Sequence, residues 1–421
     1  MQVQSFVAAA ALAIILLLVP AGGQQDPRIH PRAAAALTSI LSKNSSSGAG
    51  IAHQESPSSP SPSLLLPLHE HPAHRSFFKA PDSAVRLLNS WARRRGGRIR
   101  HGRGVWNQQM HKNRKARNPF KQMAISKYLI VDQYGHGNFK TIQAAVDSIP
   151  LDNKQWVYVQ INAGLYREKV IIPYNKPFII FQGAGRDKTT IEWNDAASRS
   201  GTADSATFTA WAPSFIAKGI SFKNGSPAPP PGAENRQAVA ALAAADMQAF
   251  YSCGFYGAQD TLFDYQGRHY FRDCYIEGSI DVIFGHAQSI FRECELHSIA
   301  ESYGSLAAHN RWNPSDSSGF VFVDCTITGS KGQVFLGRAW GAYSRIVYIN
   351  TRMDNVIIPE GWYDWGEPQR QRTVFFGQYK CSGPGAGESG RVSWSHELND
   401  YEARPFMQIN FINGHEWLSE V

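Results

Sequence analysis

FYSCGF (250–255), FRDCYI (271–276), FRECEL (291–296) and FVDCTI (322–327) share one pattern, Phe-x-x-Cys-x-apolar. The cysteines follow one another at spacings of 21, 20 and 31 residues. FIAKGISF (215–222) reads as a degenerate earlier copy. A repeat of about 20–25 residues, with insertions in some copies, is the mark of a solenoid. Here the repeating units are short β-rich runs punctuated by Gly, Pro, Asn and Lys, not helix pairs. The predicted fold is therefore all-β, a single-stranded right-handed parallel β-helix. Equivalent positions on successive coils should stack about 4.8 Å apart. The phenylalanines and cysteines then become internal ladders with a packing role. A disulfide between neighbouring coils, such as Cys253–Cys274, is as open as its absence. The count of five cysteines leaves at least one thiol unpaired within a monomer. No CxxC or His/Cys group has zinc spacing, so no metal or other cofactor is expected.

The β-rich texture begins near residue 127, with YLIVD, WVYVQI, KVIIP, FIIFQG and TTIEW. One short N-terminal helix is expected in KTIQAAVDSIP (140–150), ended by Pro150, and a C-terminal extension follows the last coils. The expected organisation is a signal peptide at 1–25, a low-complexity basic linker or pro-region at 26–125, and a catalytic domain at 126–421. The first segment, MQVQSFVAAAALAIILLLVPAGGQQ, has an apolar run of about fifteen residues ending in small residues, too short for a comfortable span. A signal anchor is its duller alternative. The second contains NSSSGAG, SPSSPSPS and RRRGGRIRHGRG, a linker composition expected to be disordered apart from pieces such as DSAVRLLNSWARR.

The net charge of +8 is unevenly distributed. Residues 1–126 hold 17 Lys/Arg against 4 Asp/Glu, so the remainder carries 25 against 30. The basic character belongs to the front segment, and nucleic-acid binding is a poor reading of the high pI. Residues 93–117 hold ten Lys/Arg and no acid. They read as a solvated spacer, as an electrostatic tether to a polyanion, or as a protease processing site at Arg93-Arg94-Arg95.

The same period brings polar residues together. Gln237 and Gln259 are 22 apart, and Asp260 and Asp281 are 21 apart. Each spacing is one coil, so all four should lie close together. Asp281 sits in an apolar run, SIDVIFG, where an uncompensated carboxylate is costly. Two such acids cannot both ionise cheaply, which separates a nucleophile or base from a proton donor. Taken singly, each acid reads better as a rim or turn residue. In register with two glutamines and a downstream arginine, they read as a catalytic cluster. No Gly-x-Ser-x-Gly elbow occurs, and GAGRDKTT lacks the ending of a phosphate-binding loop.

GLYREKV (164–170), QAVA (237–240), QDTL (259–262), DVIFG (281–285) and LGRAW (336–340) resemble, in order and spacing, motifs of the plant pectin methylesterases. The resemblance runs from 127 to about 418, including PEGWYDW and FINGHEWL, and implies the same β-helix. It implies that Asp281 is the nucleophile and Asp260 the general acid and later base. Gln237 and Gln259 would donate to an oxyanion, and Arg338 would keep Asp281 charged and oriented. Trp340 would stack on a sugar and Thr202 would contact substrate, although rim packing and a turn are their plain alternatives. Trp362 and Trp365 could widen the cleft or pack, and Tyr166 and Glu168 read as structural. YGHG (134–137) reads as a turn.

The sequence departs from the family at Val282, at His286, in LAAHNRW (306–312) and in a shorter interval between Asp281 and Arg338. These departures bear on substrate preference. Residues 26–125 lack a four-cysteine inhibitor-like prodomain, so the chain resembles the group without one. The implied substrate is methyl-esterified homogalacturonan in a plant cell wall, attacked by a secreted extracellular monomer. A proteinaceous pectinesterase inhibitor is a candidate partner; nucleic acid and, once the signal is removed, membrane are not. A wall-binding β-helix without activity, and a lyase or glycosidase on the same fold, are the rival readings. Asn44 and Asn224 lie in glycosylation sequons.

Overall fold

A computed structural model describes residues 124–229 and 233–418. The expected signal peptide, the basic arm, its helical piece DSAVRLLNSWARR and the Asn44 sequon lie outside them. The described strands form three long parallel sheets of eleven, eight and eight strands, with a further two-stranded pair. Eight successive coils each contribute one strand to each of the three, and three further strands lengthen the first sheet at its ends, giving the right-handed parallel β-helix that the repeat predicts.

The Phe-x-x-Cys motif spans the corner between the first and second sheets. In the 250–255 copy, Gln248–Tyr251 belongs to the first sheet and Gly254–Tyr256 to the second. Between them Ser252 adopts φ 49, as do its equivalents Asp273 (52), Glu293 (55) and Asp324 (55). A left-handed residue turns the chain sharply at some steric cost, and packing on both sides repays it. Phe250 pairs with Phe271, Phe271 with Phe291, and Phe291 with Phe322. Their rings stack at centroid distances of 4.9, 4.5 and 4.8 Å. Burying each ring contributes roughly 1.5–3 kcal/mol. The degenerate copy joins the same ladder, with Ala217 beneath Phe250 and Phe222 beneath Phe255.

All five cysteines are free thiols. Cys253, Cys274, Cys294 and Cys325 are buried, and each reaches main-chain carbonyls; Cys274 Sγ, for instance, faces Phe250 O at 3.5 Å. The inter-coil disulfide left open by the sequence is absent, and the cysteines serve as small apolar ladder residues.

The expected helix is Ile142–Asp147, capped by the Thr141 side chain. Glu168 holds its first turn by accepting from Ile142 N at 2.8 Å and Gln143 N at 2.9 Å. Tyr166 is buried and donates to Asn162 O at 3.0 Å. Both are structural, as read. Residues 134–137 form a turn held by Asp132 Oδ1, which accepts from Tyr134 N at 2.8 Å, with Gly135 at φ 91. The C-terminal extension from Asn399 on lays Ala403, Ile412 and Trp417 against the outer face of the first sheet.

The structure closes the second sequon. Asn224 is 3% exposed, and its Nδ2 donates to Asp195 O, Ser205 O and Val239 O at 2.9–3.1 Å. An amide committed in this way is no glycan acceptor, and its role is to tie three loop carbonyls together.

Candidate active site

The two acids occupy the same corner on consecutive coils. Gln259 bridges Ile280 in parallel, and Asp260 N donates to Ile280 O at 3.0 Å. The strands that follow, Leu262–Asp264 and Ile283–Gly285, pair residue for residue. Asp260 and Asp281 both adopt left-handed backbone, at φ 63 and 47. Such a conformation survives where the surroundings over-determine it, and buried strands on adjoining coils do so here.

Asp281 is 5% exposed and fully partnered. Arg338 grips it in a bidentate fork, with Nε donating to Oδ1 at 2.9 Å and Nη2 to Oδ2. Ser305 Oγ also donates to Oδ1 at 2.6 Å and in turn accepts from Asp281 N at 3.0 Å. The Trp365 ring lies 4.3 Å from the Arg338 guanidinium carbon. Burial works against the charge on Arg338, but the Asp281 carboxylate outweighs it and leaves the guanidinium pKa raised.

Asp260 is different. Burial first, and the Asp281 charge second, push its carboxyl well above the usual carboxylate range, with Arg338 opposing. The corner thus holds one carboxylate keyed to an arginine beside one acid that favours its proton. This is the separation of roles that identical side chains need for paired acid and nucleophile chemistry.

The glutamines stand on adjoining coils, linked by Ala238 N donating to Gln259 O at 3.0 Å. Gln259 is 8% exposed. Gln237 Oε1 is buried without a hydrogen-bond partner. A buried polar atom left unpaired calls for an explanation; being an acceptor, this oxygen answers a donor on an incoming group and not an oxyanion.

Trp340 follows Arg338 and packs partly against an outward cluster of Leu242, Phe263, Phe284 and Ala308. Thr202 precedes the short turn Ala203–Ser205, and Ala203 touches the same cluster, which brings Thr202 to its margin. Trp362 is 2% exposed and stacks on Phe376 at 4.8 Å, so it packs and does not widen the cleft.

His286 contacts Asn310 O through Nδ1, and its Nε2 lies 2.8 Å from Asp316. Arg311 fixes the departing 306–312 wall by donating to Asp316 O and Tyr343 O, each at 2.9 Å. Among the described residues, no three His, Cys, Asp or Glu side chains gather as a metal site.

Sequence reading missed Ser305. The third-sheet register places Ile283 opposite Ala307, a coil of 24 residues, which sets Ser305 opposite Asp281. The usable signal was this longer coil, hidden by the irregular interval after Cys294. Trp365 was named only as a candidate for the cleft, whereas it covers the arginine.

A family model described as Pectinesterase matches residues 128–415. The chain belongs to the pectinesterase family. Among its relatives in that family, Probable pectinesterase 8 of Arabidopsis thaliana is 47% identical over 300 residues, covering 69% of this chain and 76% of the relative. Putative pectinesterase 14 of the same plant is 46% identical over 302 residues, covering 71% and 90%. The solved pectin methylesterase from carrot aligns with a TM-score of 0.65 at 34% identity, over 69% of this chain and 94% of the carrot chain. The pectinesterase assignment makes this protein a carboxylic-ester hydrolase on a parallel β-helix.

Proposed function

We propose that this pectinesterase demethylates homogalacturonan through Asp281 and Asp260. An Asp281 oxygen attacks the carbonyl carbon of a galacturonosyl methyl ester. The oxyanion of the tetrahedral intermediate takes hydrogen bonds from the Gln237 and Gln259 amides. Asp260 gives its proton to the departing methoxide, which leaves as methanol, and an acyl-enzyme anhydride remains. The Asp260 carboxylate then takes a proton from water. The resulting hydroxide attacks the anhydride carbonyl, releasing the free galacturonate and restoring both acids. Arg338 and Ser305 hold the attacking carboxylate in one orientation, and Trp340 and Thr202 contact the sugar.

One observation carries the reading: on adjoining coils, Asp281 is clamped by Arg338 while the Asp260 carboxyl is pushed upward. The proposal includes secretion to the plant cell wall after removal of residues 1–25, a low-complexity basic segment at 26–125, and a monomer that a proteinaceous inhibitor can engage. It also places the chain in the group without an inhibitor-like prodomain.

The test is methanol release from highly methylated pectin by the wild type and by Asp281→Asn. The variant should lose at least about 10³-fold in turnover. Surviving activity rejects the nucleophile; no methanol from the wild type rejects the esterase chemistry; shortened or unsaturated chains favour a glycosidase or lyase.

A further inference from the structure

Aromatic rings run away from the catalytic corner along the outer face of the third sheet. Successive strands there are Phe208–Ala210, Ala241–Ala243, Leu262–Asp264, Ile283–Gly285, Ala307–His309 and Gly337–Arg338. Leu242, Phe263, Phe284 and Ala308 occupy one register row on these strands. Two residues further along, the next row runs through Ala244, Tyr265 and His286 and reaches Trp211 just past Ala210. Ala244 N donates to Ala210 O at 3.1 Å, and Tyr265 N to Ala243 O at 2.9 Å, extending the ladder to this row.

The rings on these two rows touch in sequence. Trp340 lies 6.2 Å from Phe284, Phe284 stacks on Phe263 at 4.3 Å, and Phe263 meets Tyr265 at 5.2 Å. Tyr265 meets Trp211 edge-on at 6.4 Å. The strip covers five strand-to-strand steps, roughly 24 Å. Ala244, between Trp211 and Tyr265 in the row, is 2% exposed, so the two rings close over it.

The members beside the acids are sealed: Phe263 is 2% and Phe284 3% exposed. Trp211 at the far end is 39% exposed. Packing alone accounts for the sealed rings and leaves the open one unexplained. Tryptophan presents the widest flat apolar surface of any side chain, and such a surface suits the C–H face of a pyranose. We propose that Trp211, braced edge-on by Tyr265, is a distal platform for a sugar unit of the galacturonan chain. It lies three strands, roughly 14 Å, from the strand that follows Asp281. This rests on the demethylation reading for its ligand and adds a place where a long chain is held away from the scissile ester.

The test compares highly methylated pectin with methyl-esterified galacturonobiose, which is too short to reach Trp211 from Asp281. Trp211→Ala should raise KM for pectin about three- to tenfold with kcat held, and leave KM for the disaccharide in place. Trp211→Phe should restore most of the pectin KM. Trp211→Leu, which keeps apolar bulk without a ring, should behave as alanine does. Tyr401→Ala, an exposed aromatic on the C-terminal extension, should change neither KM.

Calorimetric binding of pectin to Asp281→Asn, with and without Trp211→Ala, reads the platform without turnover. Binding weakened by Trp211→Ala in a protein whose wild type releases no methanol keeps the platform and sinks the ester chemistry. Methanol release with unchanged pectin KM and binding sinks the platform. An equal loss on disaccharide and pectin assigns Trp211 to packing and also overturns it.

Discussion

Asp260 and Asp264 lie four residues apart, one just before and the other at the end of the same short strand, and both are buried, yet the fold treats them oppositely. Asp264 is 0% exposed and each of its oxygens has a partner. His269 Nδ1 meets Oδ1 at 2.5 Å, and Ser289 Oγ donates to Oδ2 at 2.5 Å. His269 is itself 0% exposed, with its second nitrogen 2.7 Å from Ala245 O. That cluster is satisfied on every side and has no route to a substrate. Asp260 stands beside another acid, with its carboxyl pushed upward by burial and by the Asp281 charge. A compensated buried carboxylate specifies structure; an uncompensated one stores reactivity.

The contrast breaks most sharply under amide replacement. Asp260→Asn should lower kcat on methylated pectin by about 10²–10⁴-fold, the range of a positioned proton donor, with the fold intact. Methanol assays paired with circular dichroism check both halves. Retained kcat would move the proton transfer elsewhere.

The matching change at the other carboxylate should act on stability. Asp264→Ala strips His269 and Ser289 of their shared partner inside the molecule. Breaking a buried pair on one side costs about 3–5 kcal/mol. Urea unfolding should show this loss, while kcat per folded molecule changes little. A variant that unfolds normally but turns over poorly would show that the inner cluster also positions the acids.

Ser305 stands between the two cases, since it satisfies Asp281 and also fixes its backbone nitrogen. Ser305→Ala should reduce kcat/KM on the order of tenfold, as expected for one hydrogen bond to a charged group, and Ser305→Thr should recover part of it. An unchanged pH–rate profile and kcat would reduce Ser305 to a turn residue.

Much of this was legible because a solenoid turns sequence spacing into distance. Once the Phe-x-x-Cys period was seen, Asp260 and Asp281 had to be neighbours, and the ladder Phe250–Phe271–Phe291–Phe322 follows the same count. Spacing fails where coils change length. Ser305 sits 24 residues from its partner and Arg338 sits 57 from its own, so neither contact is periodic. The Asp264–His269–Ser289 cluster escaped for another reason. It joins two sheets across a corner, a contact that periodicity within one sheet does not encode. The Asn224 sequon misled because a sequon carries no information about burial.

The smallest expected effect comes from the proton on Asp260. Its folded carboxyl holds a proton to higher pH than the same group in the unfolded chain. Above the ordinary carboxylate range near pH 4, the unfolded state therefore binds fewer protons than the native one, and stability falls with rising pH until the folded group also ionises. The contribution is fully present below the unfolded pKa and is lost as pH rises through the folded one. An asparagine cannot ionise and escapes that loss. Asp260→Asn should thus match the wild type near pH 4 and unfold at higher urea near pH 8, with the gap opening between them. Every other carboxylate is shared by the two proteins and largely cancels in the difference. A gap that is constant with pH would mean that Asp260 ionises in the fold as readily as in the unfolded chain, and the contrast with Asp264 would then rest on partners alone.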